Sequence, residues 1–208
     1  GTVYEPSVKA DVTSTFLAPK FGTAFAPARD YCGEVKVHDI GVPKSLLLPE
    51  RPALTEFERS DLHDMIPPLS RDIHKTNRGN LLIIAGSETY RGAPLLTALG
   101  ALRAGAGIVY LAVPDVIAPY ISAELPEVIV IPLPTICGDV DCQASEKEVL
   151  SIIAKCGAVA AGPGCGRSSG VDKLFDLLWD KCDKPLLLDA DMLWFYSLKK
   201  EKIRPRRD

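Results

Sequence analysis

Leu81-Leu82-Ile83-Ile84-Ala85-Gly86-Ser87 is the stretch on which the fold turns. Its five consecutive apolar residues show no polar alternation, so a strand over 81–85 must be buried on both faces. Gly86-Ser87 ends the run. Pro94 then opens an apolar-periodic stretch to Arg103, closed by Gly105. Proline in the first turn and glycine just past the last are the punctuation of a helix. Further along, apolar runs predict strands over 107–113, 128–131, 158–161 and 186–188. Helices are expected over 145–155, with Ser145 as cap and Glu148 closing a capping box, and over 171–179. Strands alternating with helices predict an α/β fold with a parallel sheet and right-handed crossovers.

Upstream the pattern changes. Residues 1–42 hold short β-type runs, 8–17 and 33–40, punctuated by Pro19, Gly22, Pro27 and Gly33. Forty residues of strand cannot bury a core alone, so this zone must lean on something. Residues 43–66 carry Pro43, Pro49, Pro52 and many charges, which reads as a linker. The main α/β unit then runs over 67–208. The chain opens on Gly1-Thr2-Val3 without an initiator Met and closes on Arg204-Pro205-Arg206-Arg207-Asp208, and we read it as a segment cut from a longer protein.

The 208 residues are 47% hydrophobic and 25% charged, with a formal net charge of -3. That balance argues against a basic nucleic-acid surface. Backbone amides could still bind a small anion without net positive charge. No apolar run reaches the roughly 20 residues that span a bilayer, and no segment has signal-peptide form. The six cysteines form no C-x-x-C pair and no metal-ligand spacing, so scattered reduced thiols in a cytoplasmic protein are expected.

Ligands of open α/β sheets bind outside the carboxyl ends of the strands, and three loops fall at such ends. The first, 85–94, offers glycines and the start of a helix whose free N–H groups favour an anion. A plain strand-to-helix connection is the competing reading. The second, Gly162-Pro163-Gly164-Cys165-Gly166-Arg167-Ser168-Ser169, suits an anion or ribose-phosphate, although it is neither a dinucleotide fingerprint nor a P-loop. The third, Asp189-Ala190-Asp191, could hold a hydrated Mg2+ or a ribose hydroxyl, or Asp191 could simply cap the next helix. Cys165 has no histidine nearby in sequence, and an inert thiol is expected. His74 is read as a solvated loop residue, and the run Lys199-Lys200-Glu201-Lys202 as a solvated tail.

Taken in order, these residues resemble a known family. His74-Lys75, Gly79, the 82–87 run, Tyr90, Gly92-Ala93-Pro94 and 100–107 look like the opening of ADP-dependent NAD(P)H-hydrate dehydratases. Pro126-Glu127-Val128, Gly162-Pro163-Gly164 and Asp189-Ala190-Asp191 continue the match. Upstream, the stretches 9–16, 19–22, 32–35 and 39–43 resemble the end of the NAD(P)H-hydrate epimerase domain that precedes the dehydratase in many bacterial proteins.

The resemblance implies a ribokinase-like domain, incomplete here, behind the β-rich tail of a second α/β domain. It divides the chain into an epimerase tail at 1–42, a linker at 43–66 and the N-terminal part of a dehydratase domain at 67–208. The implied ligands are hydrated NAD(P)H and ADP or ATP, with Mg2+ and K+, and the implied assembly is a homo-oligomer. The implied substrate contacts are Gly92, Ala93, Gly164, Gly166 and Asp189, with Asp11 in the tail. Thr15 matches a potassium-site hydroxyl, with Thr13 the alternative. The family's later His-Pro-Gly-Glu-like loop and its Gly-x-Gly-Asp anion hole, which carries the base, do not occur. No catalytic residue is therefore assigned, and little activity is expected of this chain alone. A ribokinase-like small-molecule kinase and a non-catalytic nucleotide-binding fragment are the competing readings.

Overall fold

The computed structural model describes residues 2–43, 46, 61 and 78–199. The chain forms two compact units, Gly1–Pro68 and Leu69–Asp208. His74, Lys75, residues 200–208 and most of the charged 43–66 stretch lie outside the described residues.

In the first unit, β1 (Val12–Phe16) pairs in parallel with β2 (Glu34–His38), Val12 opposite Glu34 and Phe16 opposite His38. The strands are shorter than the expected 8–17 and 33–40. The chain between them forms the one-turn helix α1 (Phe21–Ala24) and a 3-10 turn at Ala28–Tyr31. Glycine is required at 33, where φ is +59° and a Cβ would fall 2.2 Å from the Asp11 carbonyl oxygen. Only Thr15 is buried among the described residues of this unit, and Val12, Phe16 and Val37 of its strands are exposed.

The second unit is a doubly wound parallel sheet. Its strands are β3 (Asn80–Ile84), β4 (Ile108–Pro114), β5 (Ile129–Leu133), β8 (Ala158–Ala161) and β9 (Leu186–Leu188), in the spatial order β5-β4-β3-β8-β9. Between β5 and β8 a small antiparallel hairpin intervenes, β6 (Thr135–Ile136) and β7 (Asp139–Val140). Its turn, Cys137-Gly138, has positive φ at both residues (52° and 81°), the geometry a two-residue hairpin needs.

From β3 the chain first winds toward β5 and then returns to the other side of β3. Right-handed crossovers therefore place helices on both faces. Helices α2 (Gly92–Arg103) and α3 (Ala118–Glu124) cover one face, where Ile83, Ala85, Val109, Leu111, Val113 and Ala160 are buried with Ala98 and Ile121. Helices α4 (Cys142–Ile153), α5 (Ser169–Lys181) and α6 (Asp191–Leu198) cover the other, over Leu82, Ile84, Ala112, Val159 and Ala161. Successive residues of β3 thus enter different cores, which is why 81–85 is apolar without alternation.

Three local readings need correction. Helix α4 starts at Cys142, not Ser145. Asp141 is its cap and accepts from the amides of Gln143 and Ala144, both at 3.1 Å, while the buried Ser145 donates to the Asp141 carbonyl oxygen at 2.7 Å. A carboxylate four residues earlier out-competes the serine for the free helix amides. Helix α5 also begins two residues before the expected 171, with Ser168 as cap. Lys199 is no solvated tail. Its side chain is 15% exposed and sits 2.6 Å from Asp172 and 2.7 Å from Asp176, binding the end of α6 to α5. Burial works against the Lys199 charge, but these two carboxylates outweigh it and raise the ammonium pKa.

The larger core centres on Phe175, which stacks on Trp179 at 5.9 Å and meets Phe195 at 6.3 Å. Phe175→Ala should lower unfolding stability by about 3–5 kcal/mol through the cavity it leaves. Urea titration followed by tryptophan fluorescence measures this directly, since Trp179 lies against the deleted ring. A loss under roughly 1 kcal/mol would show that the core refills the space.

Candidate active site

Because the five strands of the main sheet are parallel, their carboxyl ends share one edge, and the three loops converge there. They are stitched by close backbone contacts. The Gly86 amide donates to the Pro163 carbonyl oxygen at 2.9 Å, and the Gly162 amide to the Ile84 carbonyl oxygen at 3.0 Å. The third loop is bound more tightly. At Gly162, φ is +128° and a Cβ would lie 1.8 Å from the Asp189 carbonyl oxygen, so no other residue fits. At Gly164 (φ +67°) a Cβ would meet the Ala93 Cβ at 2.8 Å and the Tyr90 Cβ at 2.9 Å. Gly92, Ala93 and Gly164 are thereby brought together at the start of α2. That helix has no side-chain cap on its first amides.

Gly166 behaves differently. Its amide donates to Asp191 Oδ2 at 2.9 Å, and Arg167 Nε meets Asp191 Oδ1 at 3.2 Å. The Arg167 guanidinium also lies 4.8 Å over the Trp194 ring. Asp191 is therefore neither a free metal ligand nor the helix cap, since Ala190 occupies the cap position. Ala190 has φ 47° and ψ -115°, a conformation costing roughly 1–3 kcal/mol for a non-glycine residue. It sends the two carboxylates to different tasks. Asp191 turns to the second loop, while Asp189 is exposed and its carboxylate has no partner among the described residues.

The serine pair also has a different role from the one its sequence suggests. Ser168 and Ser169 donate their hydroxyls to Asp139, joined by the Gly170 amide at 2.8 Å. An internal carboxylate from the β6–β7 hairpin thus takes the place expected for a bound anion at the start of α5. Gly170 permits this, because a Cβ there would fall 2.0 Å from the Val140 carbonyl oxygen. Burial opposes the Asp139 charge, but the hydrogen bonds from Ser168, Gly170 and Ser169 outweigh it and hold its pKa below the ordinary carboxylate value. The hairpin is anchored at its other end by Thr135, whose hydroxyl donates to Asp115 at 2.6 Å. Neither anchor has a local sequence signal.

Cys165 is buried beneath the second loop, and burial pushes its thiol up to about 12, so it is no nucleophile at neutral pH. No cluster of three or more His, Cys, Asp or Glu able to hold a metal occurs among the described residues. In the first unit, Thr15 is buried and its hydroxyl has no partner among the described residues, whereas Thr13 donates to the Cys32 carbonyl oxygen at 2.7 Å. Asp11 is exposed, and its carbonyl oxygen receives the Glu34 amide at 2.9 Å.

A family model described as NAD(P)H-hydrate dehydratase matches residues 81–208, the part of the chain that builds this edge. The chain belongs to the NAD(P)H-hydrate dehydratase family. Among its relatives, the bifunctional NAD(P)H-hydrate repair enzyme of Thermanaerovibrio acidaminovorans is 41% identical over 187 residues, covering 89% of this chain and 36% of the relative. The repair enzyme of Dictyoglomus turgidum is 38% identical over 200 residues, covering 94% and 38%. This dehydratase-family chain therefore spans well under half the length of the curated relatives it matches. The fold is that of a ribokinase-like superfamily protein from Enterococcus faecalis, with a TM-score of 0.59 at 18% identity over 69% of this chain and 48% of that one.

The depressed Asp139 pKa has a sign that can be tested. A carboxylate whose folded pKa is lowered adds stability above its unfolded value, near 3.8, and loses it as pH falls through the folded value. Asp139→Asn should therefore be less stable than the parent chain at pH 6, and the gap should close as pH drops below about 4. Urea midpoints measured from pH 3 to 6 give the comparison, and a gap independent of pH would refute the charged role.

Proposed function

We propose that this chain is part of a nicotinamide-nucleotide repair enzyme, in which the 67–208 region supplies the N-terminal part of a dehydratase that removes water from hydrated NAD(P)H at the expense of ADP or ATP. The single observation that carries the reading is the junction of Ala93 with Gly164 at the carboxyl edge, within the segment that matches the family. On this reading Gly92, Ala93 and Gly164 line the hydrate site. Gly166 contributes through its place in the loop rather than through its amide, which Asp191 already holds. Asp189, whose carboxylate has no partner among the described residues, lies near the nucleotide phosphates.

In the proposed reaction the hydrate's hydroxyl oxygen gives up its proton and bonds the terminal phosphorus, while the bond from that phosphorus to the bridging oxygen breaks and AMP or ADP leaves. The phosphate then leaves with the C–O bonding pair, and the ring loses a proton as its double bond re-forms. The task is one of positioning and electrostatic stabilisation. Family members of greater length supply the anion hole and the base; the described edge supplies shape and amide donors. A magnesium ion would find only Glu88 and Asp189 free among the described acidic groups of this edge, which do not make a protein cage, and no step is assigned through it.

Residues 1–42 are proposed to be the tail of an epimerase domain, and 43–66 the linker. Asp11 would contact the hydrate there. Thr15 is the better potassium candidate of the two threonines because Thr13 is committed to Cys32; one hydroxyl is not a complete site, and no step is routed through that ion either. The proposal extends to a cytoplasmic homo-oligomer. No helix among the described residues is long and apolar enough to cross a membrane.

The test is recovery of nicotinamide absorbance from hydrated NADH with ADP and Mg2+. We expect no turnover by the 208-residue chain and clear turnover by a protein extended to the length of its relatives. Ala93→Leu in the extended protein should raise KM for the hydrate by roughly tenfold or more by filling the contact with Gly164. Phosphorylation of an alcohol without dehydration would replace this reading by the small-molecule kinase.

A further inference from the structure

We infer that Asp191 is a positioning residue that fixes the glycine-rich loop from outside the ligand site; this rests on the reading of that loop given above. Three observations on different elements support it. The carboxylate divides its oxygens, Oδ2 to the Gly166 amide at 2.9 Å and Oδ1 to Arg167 Nε at 3.2 Å. Its side chain is 18% exposed, whereas Arg167 is 56% exposed, so the acid is the sheltered partner of the pair. The positive φ of Ala190 separates it from Asp189, whose carboxylate has no partner among the described residues.

The consequence is a mechanical link. Asp191 is the first residue of α6, and that helix is held to the core by Met192 and Phe195, both buried. A rigid helix thus carries the carboxylate that sets the Gly166 peptide plane. Two residues before it, Gly164 packs on Ala93 and Tyr90 in a left-handed conformation with no slack. If the Gly166 plane is released, Gly164 loses the constraint on one side, and the contact with Ala93 loosens. Asp191 touches no ligand in this scheme; it acts through the loop. Its charge is spent on an amide and a guanidinium, and the Arg167 guanidinium is in turn stacked on Trp194 of the same helix.

Amide hydrogen exchange by NMR on the 208-residue chain tests the link without reference to activity. Asp191→Ala should speed exchange at Gly166 by roughly tenfold or more while Ile83 and Val159 keep their protection. Asp189→Asn should leave Gly166 unchanged. Arg167→Gln removes only the guanidinium half and should change Gly166 less than Asp191→Ala does. Unchanged exchange at Gly166 in Asp191→Ala overturns the inference; if that variant unfolds globally, Asp191→Leu, which fills the space but removes both acceptor oxygens, takes its place with the same criterion.

Kinetics of a protein extended to the length of its relatives then separate positioning from chemistry. Asp191→Ala should raise KM for the hydrate by roughly tenfold with kcat within about threefold, since the loop is displaced but the reacting groups are intact. A fall in kcat of about a hundredfold with normal Gly166 exchange would make Asp191 a group that touches the reacting atoms, and would also overturn the inference. An extended protein without dehydration activity would defeat the functional reading alone, with the exchange result still deciding the role of Asp191.

Discussion

Strand β3 is hydrogen-bonded on both sides, to β4 and to β8, and the rest of the second unit follows from that. A strand paired on both edges and covered on both faces has no surface on which to place a polar side chain. The chain leaves β3 in one direction, returns, and leaves β8 in the other. Right-handed crossovers then force the helices onto opposite faces. The same reversal makes the loops after β3 and β8 diverge, opening a crevice at their carboxyl ends. Gly86 and Gly162 keep that crevice narrow, one bonded to Pro163 and the other to Ile84. Neither contact would survive a side chain in its place, because both glycines have positive φ and close neighbours.

Around this crevice two aspartates are consumed internally. Asp139 saturates the start of α5, and Asp191 saturates Gly166 and Arg167. The protein thus satisfies with its own carboxylates the amides and hydroxyls that a sequence reading offers to an anion. The alternative, leaving them open, would expose a helix terminus and a row of loop amides to water and to unspecific anions. Among the described residues, what remains unsatisfied at the edge is small: the first amides of α2 and the carboxylates of Glu88 and Asp189.

How much of this was legible depended on range. Strands β8 and β9 were read to the residue, because each is an uninterrupted apolar run ending in a breaker, Gly162 for one and Asp189 for the other. The start of α4 was missed because Asp141 and Ser145 are both good caps, and sequence does not say which one the backbone presents. Helix α3 was missed although Pro119 stands in its first turn, the same signal that marked α2; the exposed Val116 and Tyr120 blur its apolar face. The convergence of 85–94 with 162–169 was predictable from the parallel topology alone. The partners of Ser168, Gly170 and Gly166 were not. They come from residues 25 to 31 positions away, and no local rule sets those distances.

The electrostatics of the edge bear on what it can recognise. A site built to attract phosphate gathers uncompensated positive charge and open amides. Here Arg167, the basic group of the glycine-rich loop, is already paired with Asp191, and Asp139 adds a further negative charge at the start of α5. The loop therefore contributes little net attraction for an anion, and what it offers is shape: Gly164 seated against Ala93 and Tyr90, with the buried and unreactive Cys165 beneath. Under the function proposed above, such a surface would take the uncharged, hydroxyl-bearing ring of a hydrated nicotinamide rather than a phosphate chain. On the proposed reading, the phosphates belong toward the open amides of α2 and the groups that longer family members add, and the glycine-rich loop belongs to the ring.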